Sequence, residues 1–417
     1  MQPADREFLI SLFDAAIAAA DPFIVLKPVM PAKPKGQTIV IGAGKGVAQM
    51  AQAFETLWDG PLSGVVVTRY GYAAPCKHID VIEAAHPVPD AAGGKAAQRL
   101  LSAVADLNSD DLVVTLICGG GSALLSAPPD GCTLKDEQLL NEVLLASGVP
   151  IGEMNVIRKH FSLIKGGRLA AAAYPARVVS LVVSDVPGDN PAQVASGPTV
   201  PDGMTLEDAM RIIQTRNLEL PTAVLNALSE APQPDDPRFA NNEVHVIASA
   251  RLSLEAAASK AESADIASVI LSDSIEGEAA DIGIMHAAIA REVALRNRPF
   301  KAPIVILSGG ETTVTLRNRD GRGGRNTEFL LAFANAIQGQ TQIAALAADT
   351  DGIDGSEDNA GAFATGETAA AMRAAGTDPR VALARNEAWD AFAAVETLFV
   401  PGPTGTNVND FRAILVR

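Results

Sequence analysis

The stretch Thr38–Gly46, TIVIGAGKG, with the VAQMAQAFE that follows it to Glu55, decides the fold. A short apolar run ends in three spaced glycines, Gly42, Gly44 and Gly46, and a segment with helical spacing begins at once. That is a buried strand, a tight turn and a helix. The pattern returns in GVVVTRYG (64–71), IDVIEAAH (79–86), DLVVTLICGGG (111–121) and RVVSLVVSD (177–185). Ala-rich segments such as AAGGKAAQRLLSAVADL (91–107) lie between most of these runs. Strands alternating with helices imply a parallel sheet with helices on both faces.

A second series follows, EVHVIAS, IASVILSD, PIVILSGGETTVTL, QIAALAADTDG and the final FRAILVR. Between the two series, Glu230–Arg238, EAPQPDDPR, concentrates proline and acid and reads as a linker. The expected fold class is therefore α/β in two domains, residues 1–235 and 236–417.

The chain has 417 residues, 48% of them hydrophobic, ample for two cores. Its net charge of −16 argues against nucleic acid or an anionic membrane as partner. It leaves room for an anionic substrate at a local basic cluster. Cys76, Cys118 and Cys132 are too few and too scattered for a disulfide framework or a zinc site. The N-terminus MQPADREFLI lacks a basic segment leading into an apolar one. These features predict a soluble, cytoplasmic protein.

Seven polar loops interrupt the apolar runs. In GAGKG, the spacing departs from the dinucleotide fingerprint at Val47 and from the Walker A loop throughout. Gly44, Gly46 and Lys45 then have two readings: an anion cradle at a helix N-terminus, or a structural turn with a solvated lysine. Three consecutive glycines, Gly119, Gly120 and Gly121, precede Ser122, a costly run that suits close approach of backbone to a phosphate or carboxylate. SGGETTV puts Glu311 at a strand end, and RDGRGGRNTEF gathers Arg319, Arg322 and Arg325 before a helix, a pattern suited to anions. ADTDGIDG supplies Asp349, Asp351 and Asp354, a carboxylate cluster of the kind Mg²⁺ uses beside phosphates. SDVPGDNP adds Asp185 and Asp189, and it leads into Ser196. Thr404 and Asn407 lie in GPTGTNVND near the C-terminus. The five histidines show no metal-binding or catalytic spacing and read as core or surface residues.

Taken in order, GAGKG, CGGGSALL, IKGGRLA, SDVPGDNP with SGPT, SGGETTV, GRGGRNTEF, ADTDGIDG and GPTGTNVND resemble the glycerate 2-kinases of the MOFRL type, over nearly the whole chain. The resemblance implies a Rossmann-like N-terminal domain, a smaller α/β MOFRL domain, and an active site in the cleft between them. It also implies ATP-dependent phosphorylation of D-glycerate on the 2-hydroxyl, with ATP and Mg²⁺ as cofactors. Members are often labelled hydroxypyruvate reductases, and a homodimer is one assembly open to the chain. On this resemblance Lys45 and Arg325 bear on the transferred phosphate, Asp351 or Asp354 on the metal, and Asp189 or Glu311 on the substrate hydroxyl. Gly44, Gly46, Gly119, Gly120, Gly121, Ser122, Ser196, Arg322, Thr404 and Asn407 complete the expected binding loops. An NAD(P)H-dependent reductase is the alternative, but Glu55 comes too early to serve as its ribose-binding acid.

Overall fold

The computed structural model describes residues 1–417 and divides them into two compact units, residues 22–247 and residues 1–21 with 248–417.

In the first unit the β-branched runs form β1 (Thr38–Ala43), β2 (Ser63–Arg69), β3 (Ile79–Ala84), β4 (Leu112–Ile117), β5 (Arg177–Val183) and β6 (Glu243–Ala248). Their order is β3-β2-β1-β4-β5-β6, and β1 to β5 pair in parallel. This is the doubly wound order of dinucleotide-binding folds, with the reversal of winding between β1 and β4. Ile39, Ile41, Val65 and Val67 share a core with Ala96, Ala97 and Leu100 of the helix Ala91–Ala103. Asp90 caps that helix by accepting from the N–H groups of Ala92 and Gly93, both at 3.1 Å. The helix Val47–Leu57 covers the opposite face: a Cβ on Gly42 would stand 2.8 Å from Val47 Cγ2. A helical layer with its own core, including Leu140, Leu144, Ile157, Phe161 and Ile213, is built from segments on either side of β5.

The second unit holds β7 (Ala267–Ile270), β8 (Gly277–Glu278), β9 (Ile304–Gly310), β10 (Thr312–Thr313), β11 (Ile343–Asp349), β12 (Gly361–Thr365), β13 (Leu398–Phe399) and β14 (Asp410–Val416). Six of these make a mixed sheet in the order β13-β12-β11-β14-β9-β7, in which only β7 and β9 pair in parallel. β8 and β10 form a separate short ribbon. Alternate residues of β14 serve the two faces. Phe411, Ala413 and Leu415 join one core, while Ile414 and Val416 join Phe329, Leu330 and Phe333 in the other.

Two boundary expectations need correction. The units change over at Ile247/Ala248 rather than at residue 235, because β6 completes the first sheet. The Pro-rich stretch 230–238 is tied into the first unit: Arg168 donates to Glu230 O at 2.8 Å, and Phe239 packs on the β1–β2 core. The N-terminal helix Pro3–Ala18 also belongs to the second unit, where it buries Leu9, Leu12, Phe13 and Ala16. No single helix is long and apolar enough to cross a membrane.

Candidate active site

The glycine loops after β1 and β4 meet where the winding reverses, the place where open parallel sheets bind ligands. Lys45 N–H donates to Gly119 O at 2.8 Å, and Cys118 N–H to Ala43 O at 3.1 Å. Gly46 N–H donates to Cys118 Sγ at 3.2 Å, and Gly44 N–H to Val67 O at 3.1 Å. Burial pushes the Cys118 thiol up to about 12, so it packs as an inert thiol. Gly46 opens the helix Val47–Leu57 with no side-chain cap, which leaves that N-terminus open toward an anion.

The glycine run is explained by what surrounds it. Gly120 has φ +79°, and a Cβ there would lie 2.8 Å from Lys45 Cγ, 3.0 Å from Lys45 Cε and 3.2 Å from His86 Nε2. A Cβ on Gly119 would overlap Asp185 Oδ2, and one on Gly121 would stand 2.6 Å from Ala195 Cβ. Three consecutive glycines therefore admit Lys45, His86 and Asp185 to one loop. The ammonium of Lys45 has no carboxylate partner, whereas Lys165 in the same unit is paired with Glu137 at 2.9 Å. Burial, then the charges of Lys45 and Arg69, hold His86 down at about 4, so its imidazole is neutral near pH 7.

Ser122 and Ser196 share a hydrogen bond of 2.8 Å, and Ser196 Oγ donates to Asn155 Oδ1 at 3.2 Å. Ala195, Ser196 and Gly197 all adopt left-handed backbone, with φ of +52°, +61° and +57°. Such strain persists only where neighbours impose it. Here Gly166 and Gly167 N–H donate to the carbonyls of Ser196 and Gly197 at 3.1 and 2.7 Å. The motif IKGGRLA thus clamps the serine loop. Asp189 follows β5 in the turn Pro187–Asp189, also left-handed at φ +54°.

In the second unit Arg325 is the hub. Its Nε donates to Asp410 at 2.7 Å, Nη1 to Glu311 at 2.6 Å and Nη2 to Asp349 at 2.7 Å. Burial lowers its basicity, but Asp410, Asp349 and Glu311 outweigh that and raise it above the ordinary range. Asp349 lies well above the usual carboxylate range through burial and then the nearby Asp351. Asp351 Oδ1 accepts from Ile353 N–H at 2.9 Å, and its Oδ2 is uncommitted. Thr404 Oγ1 donates to Thr350 O at 2.5 Å, and Asn407 Oδ1 accepts from Asn409 N–H at 3.1 Å, so this loop folds onto the end of β11.

Two expected roles do not survive the geometry. Asp354 is fully buried, and its oxygens accept from the N–H groups of Asn326 at 2.9 Å and Thr327 at 2.8 Å, and from Thr327 Oγ1 at 2.8 Å. It caps the helix Arg325–Ala336 and is not exposed to a metal. That cap also occupies the helix N-terminus on which an anion was expected to sit. Arg322 turns to the helix Ala388–Ala393, pairing with Asp390 and lying 4.1 Å over the Trp389 ring. Sequence reading set His86 aside with the other histidines; the structure places it beside Lys45 at the three-glycine loop, just after the parallel strand β3.

The sequence matches the domain of unknown function DUF4147 over residues 8–229 and the MOFRL family over residues 304–410. It is 49% identical to a protein of Agrobacterium vitis provisionally named hydroxypyruvate reductase, covering 99% of this chain and 94% of that protein. It is 38% identical to the D-glycerate 2-kinase of Thermotoga maritima, over 97% of each. The crystal structure of glycerate kinase from Thermotoga maritima superposes with a TM-score of 0.92 at 36% identity, covering all of both chains. By its two family modules, its full-length relatives and its fold, the chain belongs to the MOFRL-type glycerate 2-kinase family.

Proposed function

We propose that this chain transfers the γ-phosphoryl group of ATP to the 2-hydroxyl of D-glycerate, giving 2-phosphoglycerate and ADP. The observation that carries the reading is the unpaired Lys45 beside Asp185 on the three-glycine loop. A cation for anionic oxygens and a carboxylate for a hydroxyl are the two groups phosphoryl transfer to a hydroxy acid requires. The D-glycerate 2-kinase name of a full-length relative supports the same acceptor.

In this mechanism Asp185 or Asp189 accepts the proton of the 2-hydroxyl as its oxygen forms the new bond to phosphorus. The bond from phosphorus to the ADP oxygen breaks in line. Lys45 compensates charge on the transferred group, and the open N-terminus of Val47–Leu57 adds oriented N–H dipoles. In the second unit Arg325 is the candidate anion-binding cation, with Glu311, its most exposed partner, as the group that gives way. No three His, Cys, Asp or Glu side chains are arranged to hold a metal ion. Mg²⁺ at Asp351, next to Asp349, would take its other ligands from phosphate and water, and it would neutralise phosphate charge there.

One observation favours a second reading, an NADPH-dependent hydroxypyruvate reductase. Arg69 ends β2, where a doubly wound dehydrogenase binds the cofactor ribose or its 2′-phosphate. The kinase reading rests on more of the chain. The two are separated by ³¹P NMR of the protein with D-glycerate, ATP and Mg²⁺, beside a sample with hydroxypyruvate and NADPH. A 2-phosphoglycerate resonance without NADPH oxidation is expected. NADPH oxidation without phosphorylated product would replace this function with the reductase.

A further inference from the structure

We infer that His86 is a substrate-positioning residue, donating a hydrogen bond from Nε2 to the carboxylate of the small hydroxy acid, with Lys45 as its charged partner. The inference rests on the proposed function and names the groups that hold the acceptor substrate.

The geometry lies in the glycine loop. His86 Nε2 and Lys45 Cε fall 3.2 and 3.0 Å from the point a Gly120 side chain would occupy, so both groups look into the same space. Neither makes a hydrogen bond or ion pair through its side chain within the protein. One residue earlier, Asp185 Oδ2 occupies the corresponding space at Gly119. Consecutive Cα atoms are about 3.8 Å apart. The loop therefore presents a cationic, donor-bearing pole and a carboxylate pole on neighbouring residues.

A 2-hydroxy acid has the complementary pattern, an anionic carboxylate and a hydroxyl on adjacent carbons. Its carboxylate fits the Lys45–His86 pole and its hydroxyl fits Asp185. A run of phosphates would set negative charge against Asp185 and is disfavoured at this spot. The phosphoryl acceptor oxygen is one carbon from the carboxylate, so Lys45 can serve both the bound acid and the arriving phosphate. The depressed basicity of His86 suits a neutral donor, with charge supplied by Lys45. Neutral imidazole gives direction to the contact and separates a planar carboxylate from other anions.

The test is calorimetric titration of D-glycerate into the full chain and into His86→Ala and His86→Gln, with Michaelis constants for D-glycerate and for ATP measured on each. The amide nitrogen of Gln reaches near the position of Nε2 and keeps the donor. His86→Ala should weaken D-glycerate binding by about tenfold to a hundredfold, the range for one hydrogen bond to a charged group. The effect should fall on the D-glycerate constant rather than the ATP constant, and His86→Gln should recover most of it. Unchanged D-glycerate affinity in His86→Ala would overturn the inference, as would a loss confined to ATP or a loss that Gln does not rescue. Binding reads the contact without turnover. A wild-type chain that binds D-glycerate but never phosphorylates it would sink the kinase and leave His86 in place. A wild-type chain that binds none would remove both.

Discussion

Lys45 is held by its backbone and left free at its tip. Its N–H and C=O are fixed by Gly119 O and Thr68 Oγ1, at 2.8 and 3.1 Å, so the side chain starts from a rigid base. The stem of the side chain lies along Gly120, and the ammonium makes no hydrogen bond or ion pair within the protein. A preorganised charge of this kind stabilises charge developing on the transferred phosphoryl group without rearranging. Lys45→Ala should therefore lower kcat/KM for D-glycerate by about 10² or more in steady-state kinetics, with the melting temperature nearly unchanged. Wild-type turnover would take Lys45 out of the mechanism. The loop was legible because a run of three glycines has few other uses. His86 was not, since a lone histidine before a proline carries no spacing, and only the parallel register of β1, β2 and β3 brings it to Lys45.

The elements divide the work differently from what their sequences suggest. Two helices follow glycine-rich loops, Val47–Leu57 and Arg325–Ala336, and both read as anion sites. In the first the N-terminal N–H groups have no side-chain cap. In the second they are already bound by Asp354, which lies 28 residues downstream of Asn326 and reaches it through β11 and the turn that follows. A cap delivered from so far along the chain leaves no local signature, and Asp354 therefore reads as one of several acids suited to a metal. The two roles separate by substitution. Asp354→Ala should lower stability by about 1–3 kcal/mol, because buried N–H groups lose their acceptor. It should leave the Mg²⁺ concentration for half-maximal activity where it was. Asp351→Asn should raise that concentration with little effect on melting. A shifted metal titration in Asp354→Ala would restore it as a ligand, and an unshifted one in Asp351→Asn would remove Asp351.

At the scale of the whole molecule, the two α/β series were legible as two units, because strand runs and their spacing survive without any knowledge of pairing. The pairing itself was not, and the second sheet is largely antiparallel although helices separate several of its strands. The N-terminal helix shows why the division of the chain was also hidden. Its amphipathic pattern says that it packs on something, and nothing local says that the partner begins more than 200 residues later. In the structure Phe13 sits edge-on to Phe399 and Phe411, with ring centroids 5.1 and 5.8 Å apart, and Ser253 Oγ donates to Ala16 O at 2.8 Å. The helix closes the core that includes Leu254, Phe363 and Leu415, so the second unit depends on residues from both ends of the chain. Phe13→Ala would leave a cavity beside the rings of Phe399 and Phe411 and should cost about 3–5 kcal/mol. Hydrogen exchange locates that cost. Deuterium uptake should rise in the helix Ala250–Glu262 and in β14, while β1 to β5 keep their protection. Equal uptake gains in both units would mean that the N-terminal helix supports the chain as a whole. No gain at all would mean that the core closes without it.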